Sequence, residues 1–312
     1  MQEFNQHNAQ FWQNYAKVLE FNSNYQNAYH AYQKALSLHS HATYKFDLAY
    51  LLMRMGTEDN FEEGKKFYES RLFYAHNETF SAYHYNKTMQ IFNKNGIDAF
   101  KNKEILIFCE QGFGDTIMYS RCLEKICQIA QKVLFAPQSA MYEMFKNQIK
   151  FLNQSEKNFR NLKVLKTLPK KFDYAMPICS LPFFMDIKLT EISQLKTPIK
   201  AYKKPQNKIK KIGIFWFTPN AIDSETTRNF ELNFLLDALL RLFLFKCKVI
   251  IHYQINIENR AKKIKNWNDT LNNLNDIDCM ITIDNAIAHL SLALEIPTIV
   301  LLNQDLIGVV KI

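Results

Sequence analysis

Between residues 8 and 92 the apolar positions recur at helical spacing. Trp12, Tyr15, Ala16 and Leu19 share one stripe, and Ala28, Tyr32 and Ala35 share the next. The alanines let two helices approach closely, while Trp12 and Tyr32 fill the groove between them. Ala49, Gly64 and Tyr68 repeat the small-to-aromatic order after a short insertion around Gly56 to Asp59. Two such units are too few to cover their own apolar faces, so the helical part is expected to lean on the domain C-terminal to it.

From Lys103 the period changes. Ile105 to Cys109 is a short continuous apolar run of the kind found in buried parallel strands, and Thr116 to Ala130 reads as one helix after a glycine-containing turn. Lys132 to Ala136 and Asp173 to Met176 extend the alternation as far as Leu195, which predicts a first α/β lobe over 103–195. Residues 196–210 carry two prolines and six lysines and read as a linker. The runs Ile212 to Trp216, Lys248 to His252, Cys279 to Ile283 and Thr298 to Leu302 then predict a second doubly wound sheet over 211–312. The fold class expected is therefore α/β, two Rossmann-like lobes preceded by a short all-α module.

Composition removes several function classes. The chain has 312 residues, 47% of them hydrophobic, which is enough for real cores. No apolar run approaches the ~20 residues of a membrane span, and the start, Met1 to Gln6, is polar, so a cytoplasmic protein without a transmembrane segment is expected, with peripheral attachment at the inner membrane open to it. The net charge of +9 is spread over the chain, with lysine clusters at 203–204, 208–211 and 262–265. Lacking an Arg-rich aromatic stripe, it suggests no nucleic-acid partner. The six cysteines form no Cys-x-x-Cys pair, which fits reduced core thiols rather than a metal site.

Only seven glycines occur, and two of them flank Phe113. Glu110-Gln111-Gly112-Phe113-Gly114-Asp115-Thr116 falls at the end of a predicted strand and the start of a predicted helix, the edge of an open α/β sheet where ligands sit. Gly112 and Gly114 let a substrate near the backbone, and the first-turn amides with Gln111 and Thr116 suit an oxygen-rich ligand. Asp115 is placed to act as general base toward a hydroxyl, or to serve only as helix N-cap. A second strand end, Ile283-Asp284-Asn285-Ala286-Ile287-Ala288-His289, would hold a diphosphate on helix amides, with His289 one turn in as proton donor or as a packed residue. Thr226 and Arg228, in the loop Ser224 to Asn229, suit phosphate. Asp276-Ile277-Asp278 has the form of a metal-holding pair but lacks a third ligand, and a solvated loop is the reading preferred.

Taken in order, Glu110 to Ile117, Trp216, Arg228, Asp269-Thr270, Ile281 to Asp284 and Ala288-His289-Leu290 resemble bacterial tetratricopeptide-linked glycosyltransferases. These are related to the lipopolysaccharide heptosyltransferases and, remotely, to the O-linked N-acetylglucosamine transferases. Phe61 to Arg71 is similar to the last repeat before the catalytic part, and the helical stripes of 8–92 match most of the tetratricopeptide pattern. The resemblance implies the GT-B architecture, a nucleotide-diphosphate sugar as co-substrate, no cofactor and no metal. It assigns Asp115 as base, Gln111, Gly112, Gly114 and Thr116 to the acceptor side, and Thr226, Arg228, Asp284, Asn285, Ala286 and His289 to the donor.

Asn285 stands where the family has Thr or Ser. The chain stops at Ile312, ten residues after Leu302, where relatives continue, so a second lobe without its closing segment is expected.

Two function classes remain open. One is transfer of a sugar to a glycan, lipid-linked, lipopolysaccharide-core or protein hydroxyl. The other is an adaptor that binds a protein partner through its N-terminal helices while decayed lobes serve as scaffold. A nicotinamide enzyme is disfavoured, because Gly112-x-Gly114 has no third glycine and no acidic partner about 20 residues on.

Overall fold

A computed structural model describes residues 7–73, 80–155, 158–201, 211–216, 248–251 and 266–301. The predicted linker lies largely outside these, as do Thr226, Arg228, Cys247 and Leu302. By its internal contacts the chain forms two compact units. The first comprises 1–110, 129–131 and 171–195, and the second 111–128, 132–170 and 196–312.

The first unit begins with four helices, α1 (Ala9–Phe21), α2 (Tyr25–Leu38), α3 (Ala42–Met55) and α4 (Glu58–Tyr68). Ala16, Ala28 and Ala35 are fully buried and Tyr32 nearly so, as the spacing predicts, whereas Tyr15 is 44% exposed. Leu48, Leu51 and Leu52 of α3 close the same core, with Trp12 and Leu19 packed against it. Each such leucine contributes roughly 1.5–3 kcal/mol by leaving water. Asn8 caps α1 by accepting from the amides of Gln10 and Phe11.

The expected insertion at Gly56 to Asp59 is instead a helix junction. Gly56 ends α3 with φ +70°, and Thr57 starts α4 by accepting from the Asn60 amide at 3.2 Å. Gly64 is required by contact rather than by dihedral. A methyl there would lie 3.2–3.3 Å from Met53, Leu52 and the Ala49 carbonyl.

A 3-10 turn over Glu69–Phe73, α5 (Phe80–Asn95), β1 (Glu104–Phe108), β4 (Tyr174–Pro177) and the short α9 (Leu181–Phe184) complete this unit. β1 and β4 pair in parallel, Ile105 opposite Tyr174 and Phe108 opposite Pro177. Several polar ties join the helices to 171–195. Thr88 donates to the Ala175 carbonyl at 2.8 Å, and the buried Lys65 reaches Glu62, Asp186 and the Ile187 carbonyl at 2.7, 3.1 and 3.1 Å.

The second unit contains α6 (Phe113–Ser120), α7 (Leu123–Ile129), β2 (Lys132–Ala136), α8 (Tyr142–Ser155) and β3 (Leu162–Val164), then β5 (Lys211–Phe215), β6 (Lys248–Ile251), α10 (Trp267–Leu274), β7 (Cys279–Ile283), α11 (Ala286–Ala293) and β8 (Thr298–Leu301). β2 pairs with β3, and a four-stranded parallel sheet runs in the order β6-β5-β7-β8. The fold is thus mixed α/β with parallel sheets and many helices. The strand order reverses between β5 and β7, and open α/β sheets commonly take ligands at such a reversal.

The predicted single helix over Thr116 to Ala130 is broken at Arg121-Cys122. Tight bonds from Cys122 N to Tyr119 O and from Lys125 N to Cys122 O replace the helical ladder, and the Ser120 hydroxyl donates back to the Ile117 carbonyl. Burial pushes the Cys122 and Cys127 thiols up to about 12, so both stay protonated and inert. Among the described residues no helix is long and apolar enough to cross a membrane.

Candidate functional site

The glycine turn is pinned from downstream. Gln138 donates through Nε2 to the Gln111 carbonyl at 2.9 Å and accepts from the Thr116 hydroxyl at 2.9 Å. Thr116 is fully buried, and its hydroxyl also lies 3.3 Å from the Gly112 carbonyl. In this geometry Thr116 orients the turn. Gly112, not Asp115, is the N-cap of α6. Asp115 is the third helical residue, and its carboxylate reaches back to accept from the Gly112 amide at 3.1 Å. That bond fixes the side chain on the open edge of the turn, with Asp115 itself only partly buried.

The second motif is built the same way. Asn285 caps α11, its Oδ1 accepting from Ile287 N at 2.8 Å and Ala288 N at 3.2 Å. Asn285 therefore caps the helix with its side-chain amide oxygen. Asp284, at the end of β7, is exposed.

The starts of α6 and α11 meet, and Gly114 is the reason they can. A Cβ at Gly114 would lie 3.2 Å from His289 Cδ2 and 3.5 Å from Ala286 Cα. Gly114→Val is accordingly expected to push His289 out of register. The check is a shift of the His289 ring resonances by NMR together with a lowered melting temperature; unchanged resonances would mean that the two helices do not touch here.

His289 lies within electrostatic range of Asp284, Asp115 and Arg121. Burial, the largest influence, and the Arg121 charge pull its pKa below the usual histidine value, against the two carboxylates. The imidazole is then neutral at pH 7. In that form it offers one N–H as a hydrogen-bond donor.

Phe113, 40% exposed, meets the Trp267 ring at 5.3 Å, and the Asn266 side chain caps α10 by accepting from Asn268 and Asp269 amides. Asp269 and Thr270 stand in the first turn of that helix. Asp278 does not form a free loop carboxylate; it accepts from the Lys211 amide at 2.8 Å and ties down the start of β5. Among the described residues no group of three or more His, Cys, Asp or Glu could hold a metal.

Gln111, Gly112, Gly114, Asp115, Asp284, Asn285, Ala286 and His289 are thus brought into one unit, while Thr226 and Arg228 lie outside the described residues. Sequence reasoning misses Gln138, Trp267 and Arg121. Arg121 is accessible to it in principle, being seven residues after Gly114 and so on the same helical face.

No family model and no curated protein matches the chain. Among solved structures it is similar to a glycosyl transferase family 9 protein from Veillonella parvula DSM 2008, with TM-score 0.37, 8% identity, and coverage of 64% of this chain and 80% of that one. It is also similar to the iron-containing dodecameric glycosyltransferase TibC from enterotoxigenic E. coli H10407, with TM-score 0.40, 11% identity, and coverage of 64% of this chain and 58% of that one. Neither likeness is close enough to establish a shared activity.

Proposed function

We propose that the chain is a metal-independent glycosyltransferase of GT-B type, moving a sugar from a nucleotide-diphosphate donor to a hydroxyl acceptor. The observation that carries it is the approach of the two helix starts at Gly114, which sets the Asp115 carboxylate and the His289 imidazole in one electrostatic cluster. A carboxylate beside a turn of bare backbone suits deprotonation of an acceptor hydroxyl, and the start of α11 suits the departing diphosphate. Gln111, Gly112 and Gly114 belong to the acceptor side in this reading, and Asp284, Asn285, Ala286 and His289 to the donor side, with Thr226 and Arg228 from the phosphate loop. The domain assignment proposed with it is 8–92 tetratricopeptide-like, 103–195 acceptor lobe and 211–312 donor lobe.

The test is release of nucleoside diphosphate from a panel of UDP-, GDP- and ADP-sugars, with and without EDTA. Release that survives EDTA is the expected result, and release abolished by it would remove the metal-independent mechanism. Absence of binding to every member of the panel would leave the adaptor reading. That reading has a place to act, an open groove of about 660 Å³ in the first unit, lined by Lys45, Lys66, Phe73, Tyr85 and Met89 among others.

A further inference from the structure

Gly112 starts α6 but has no side chain with which to cap it, so the turn before the helix is fixed from elsewhere. Its two main-chain groups are held by different residues. The amide donates to the Asp115 carboxylate at 3.1 Å, and the carbonyl lies 3.3 Å from Gln138 Nε2. The same Nε2 donates to the Gln111 carbonyl at 2.9 Å, while Gln138 Oε1 accepts from the Thr116 hydroxyl at 2.9 Å. One carboxamide thus grips both the turn and the first turn of the helix.

The orientation of that carboxamide follows from its neighbours. Carbonyls only accept, whereas a hydroxyl both donates and accepts, so the NH2 end faces Gln111 and Gly112 and the oxygen faces Thr116. Turned the other way, Oε1 would oppose two carbonyl oxygens.

The base of the Gln138 side chain is itself fixed. It follows β2, whose Val133 to Ala136 are buried, and Pro137, which is buried as well. The Gln138 carbonyl accepts from the amide of the fully buried Met141 at 2.8 Å, closing the 3-10 turn Ser139–Met141. The side chain therefore ties the end of a sheet strand to the Asp115 turn, across 22 to 27 positions of the chain.

We propose that Gln138 is the positioning residue for Asp115: by clamping the carbonyls of Gln111 and Gly112 it sets where the carboxylate meets the acceptor hydroxyl. This rests on the transferase reading and adds to it the group that aims the base. Gln138 acts through the turn and takes no proton itself. A base displaced by about 1 Å loses on the order of 10²-fold in rate.

The test is steady-state turnover of nucleotide sugar by the full chain as wild type, Gln138→Met, Gln138→Glu, Asp115→Asn and the double variant Gln138→Met/Asp115→Asn. Met keeps the length and removes all three bonds. Glu keeps the oxygen toward Thr116 and replaces the donor by an oxygen that repels the two carbonyls. Both single variants at Gln138 are expected to lower kcat roughly 10- to 10²-fold, with KM for the nucleotide sugar within about twofold of wild type. The double variant is expected to lose no more than Asp115→Asn alone, because an absent base cannot be misplaced. A residue that only stabilised the fold would multiply its effect with that of Asp115→Asn. Melting temperatures within a few degrees of wild type exclude unfolding as the cause.

Hydrogen exchange at the Gly112 amide reads the clamp without substrate, and it is expected to run several-fold faster in Gln138→Met. Multiplied losses in the double variant, a wild-type kcat in Gln138→Glu, or unchanged exchange at Gly112 would overturn the positioning role and leave Asp115 as the base. Asp115→Asn at the wild-type rate, or a wild type that consumes no nucleotide sugar, sinks the transferase reading and the role of Gln138 with it.

Discussion

Asp115→Asn is expected to lower kcat for sugar transfer by roughly 10²–10⁴-fold with KM little changed, the range that general-base catalysis commands. The choice of Asn matters because the proposed base also holds the turn. Its carboxylate caps the turn by accepting from the Gly112 amide, and an asparagine oxygen can still accept that bond. What asparagine cannot do is take a proton from an acceptor hydroxyl. Asp115→Ala would remove both functions and confuse a disordered turn with lost chemistry. Steady-state kinetics of the Asn variant, with a melting temperature close to wild type, separate them. A kcat within a few-fold of wild type would show that the carboxylate is only a cap.

The parts of this geometry legible in the sequence are those that depend on neighbours along the chain. Cys279 to Ile283 reads as a buried strand and is β7 to the residue, while the run Ile105 to Cys109 is displaced by one position from β1. Apolar runs and strand-to-helix turns are local signals. The burial of Ala16, Ala28 and Ala35 is likewise readable from helical spacing.

The bonds that join distant positions leave no such trace. Gln138 holds a turn 27 residues before it, and Arg71 reaches Ser180 across 109 positions. No composition or period marks such partners, because a polar residue bound to a remote carbonyl looks in sequence like any surface residue. The break at Arg121-Cys122 is hidden for a related reason. The stretch has good helix formers, and the interruption comes from tight turn bonds and from the Ser120 hydroxyl folding back.

Arg71→Leu is expected to destabilise the first unit by about 3–5 kcal/mol, the cost of leaving a buried ion-pair network without its cation. All five donors of the guanidinium are spoken for. Nε and Nη2 donate to Glu110 Oε1 at 3.2 and 2.8 Å, Nη1 to Glu69 Oε1 at 3.0 Å and to the Tyr68 carbonyl at 3.1 Å, and Nη2 also to Ser180 Oγ at 2.7 Å. The Ser180 hydroxyl donates its own proton to Glu69 Oε2 at 2.7 Å, and the Arg71 guanidinium lies over the Tyr68 ring at 4.4 Å. Leucine restores the apolar volume but leaves two carboxylates in the interior.

The sign of the pH dependence comes from Glu110, whose pKa burial already raises while Arg71 opposes the rise. Without the guanidinium the folded-state value climbs further above the unfolded one. A carboxyl raised in this way stabilises the fold below its unfolded pKa and loses that contribution as pH climbs through the folded value. The deficit of Arg71→Leu should therefore be largest near pH 7.5 and shrink on acidification toward pH 5, which urea melts at about those two pH values would measure. Because Glu110 immediately precedes Gln111, the same melts run beside a turnover assay ask whether the network also sets the turn. A variant still folded at low temperature but with weakened turnover would place Arg71 as a positioning residue for Asp115. A deficit independent of pH would mean that the carboxylates had found water, and that the cluster is less sealed than its 2.7–3.2 Å bonds imply.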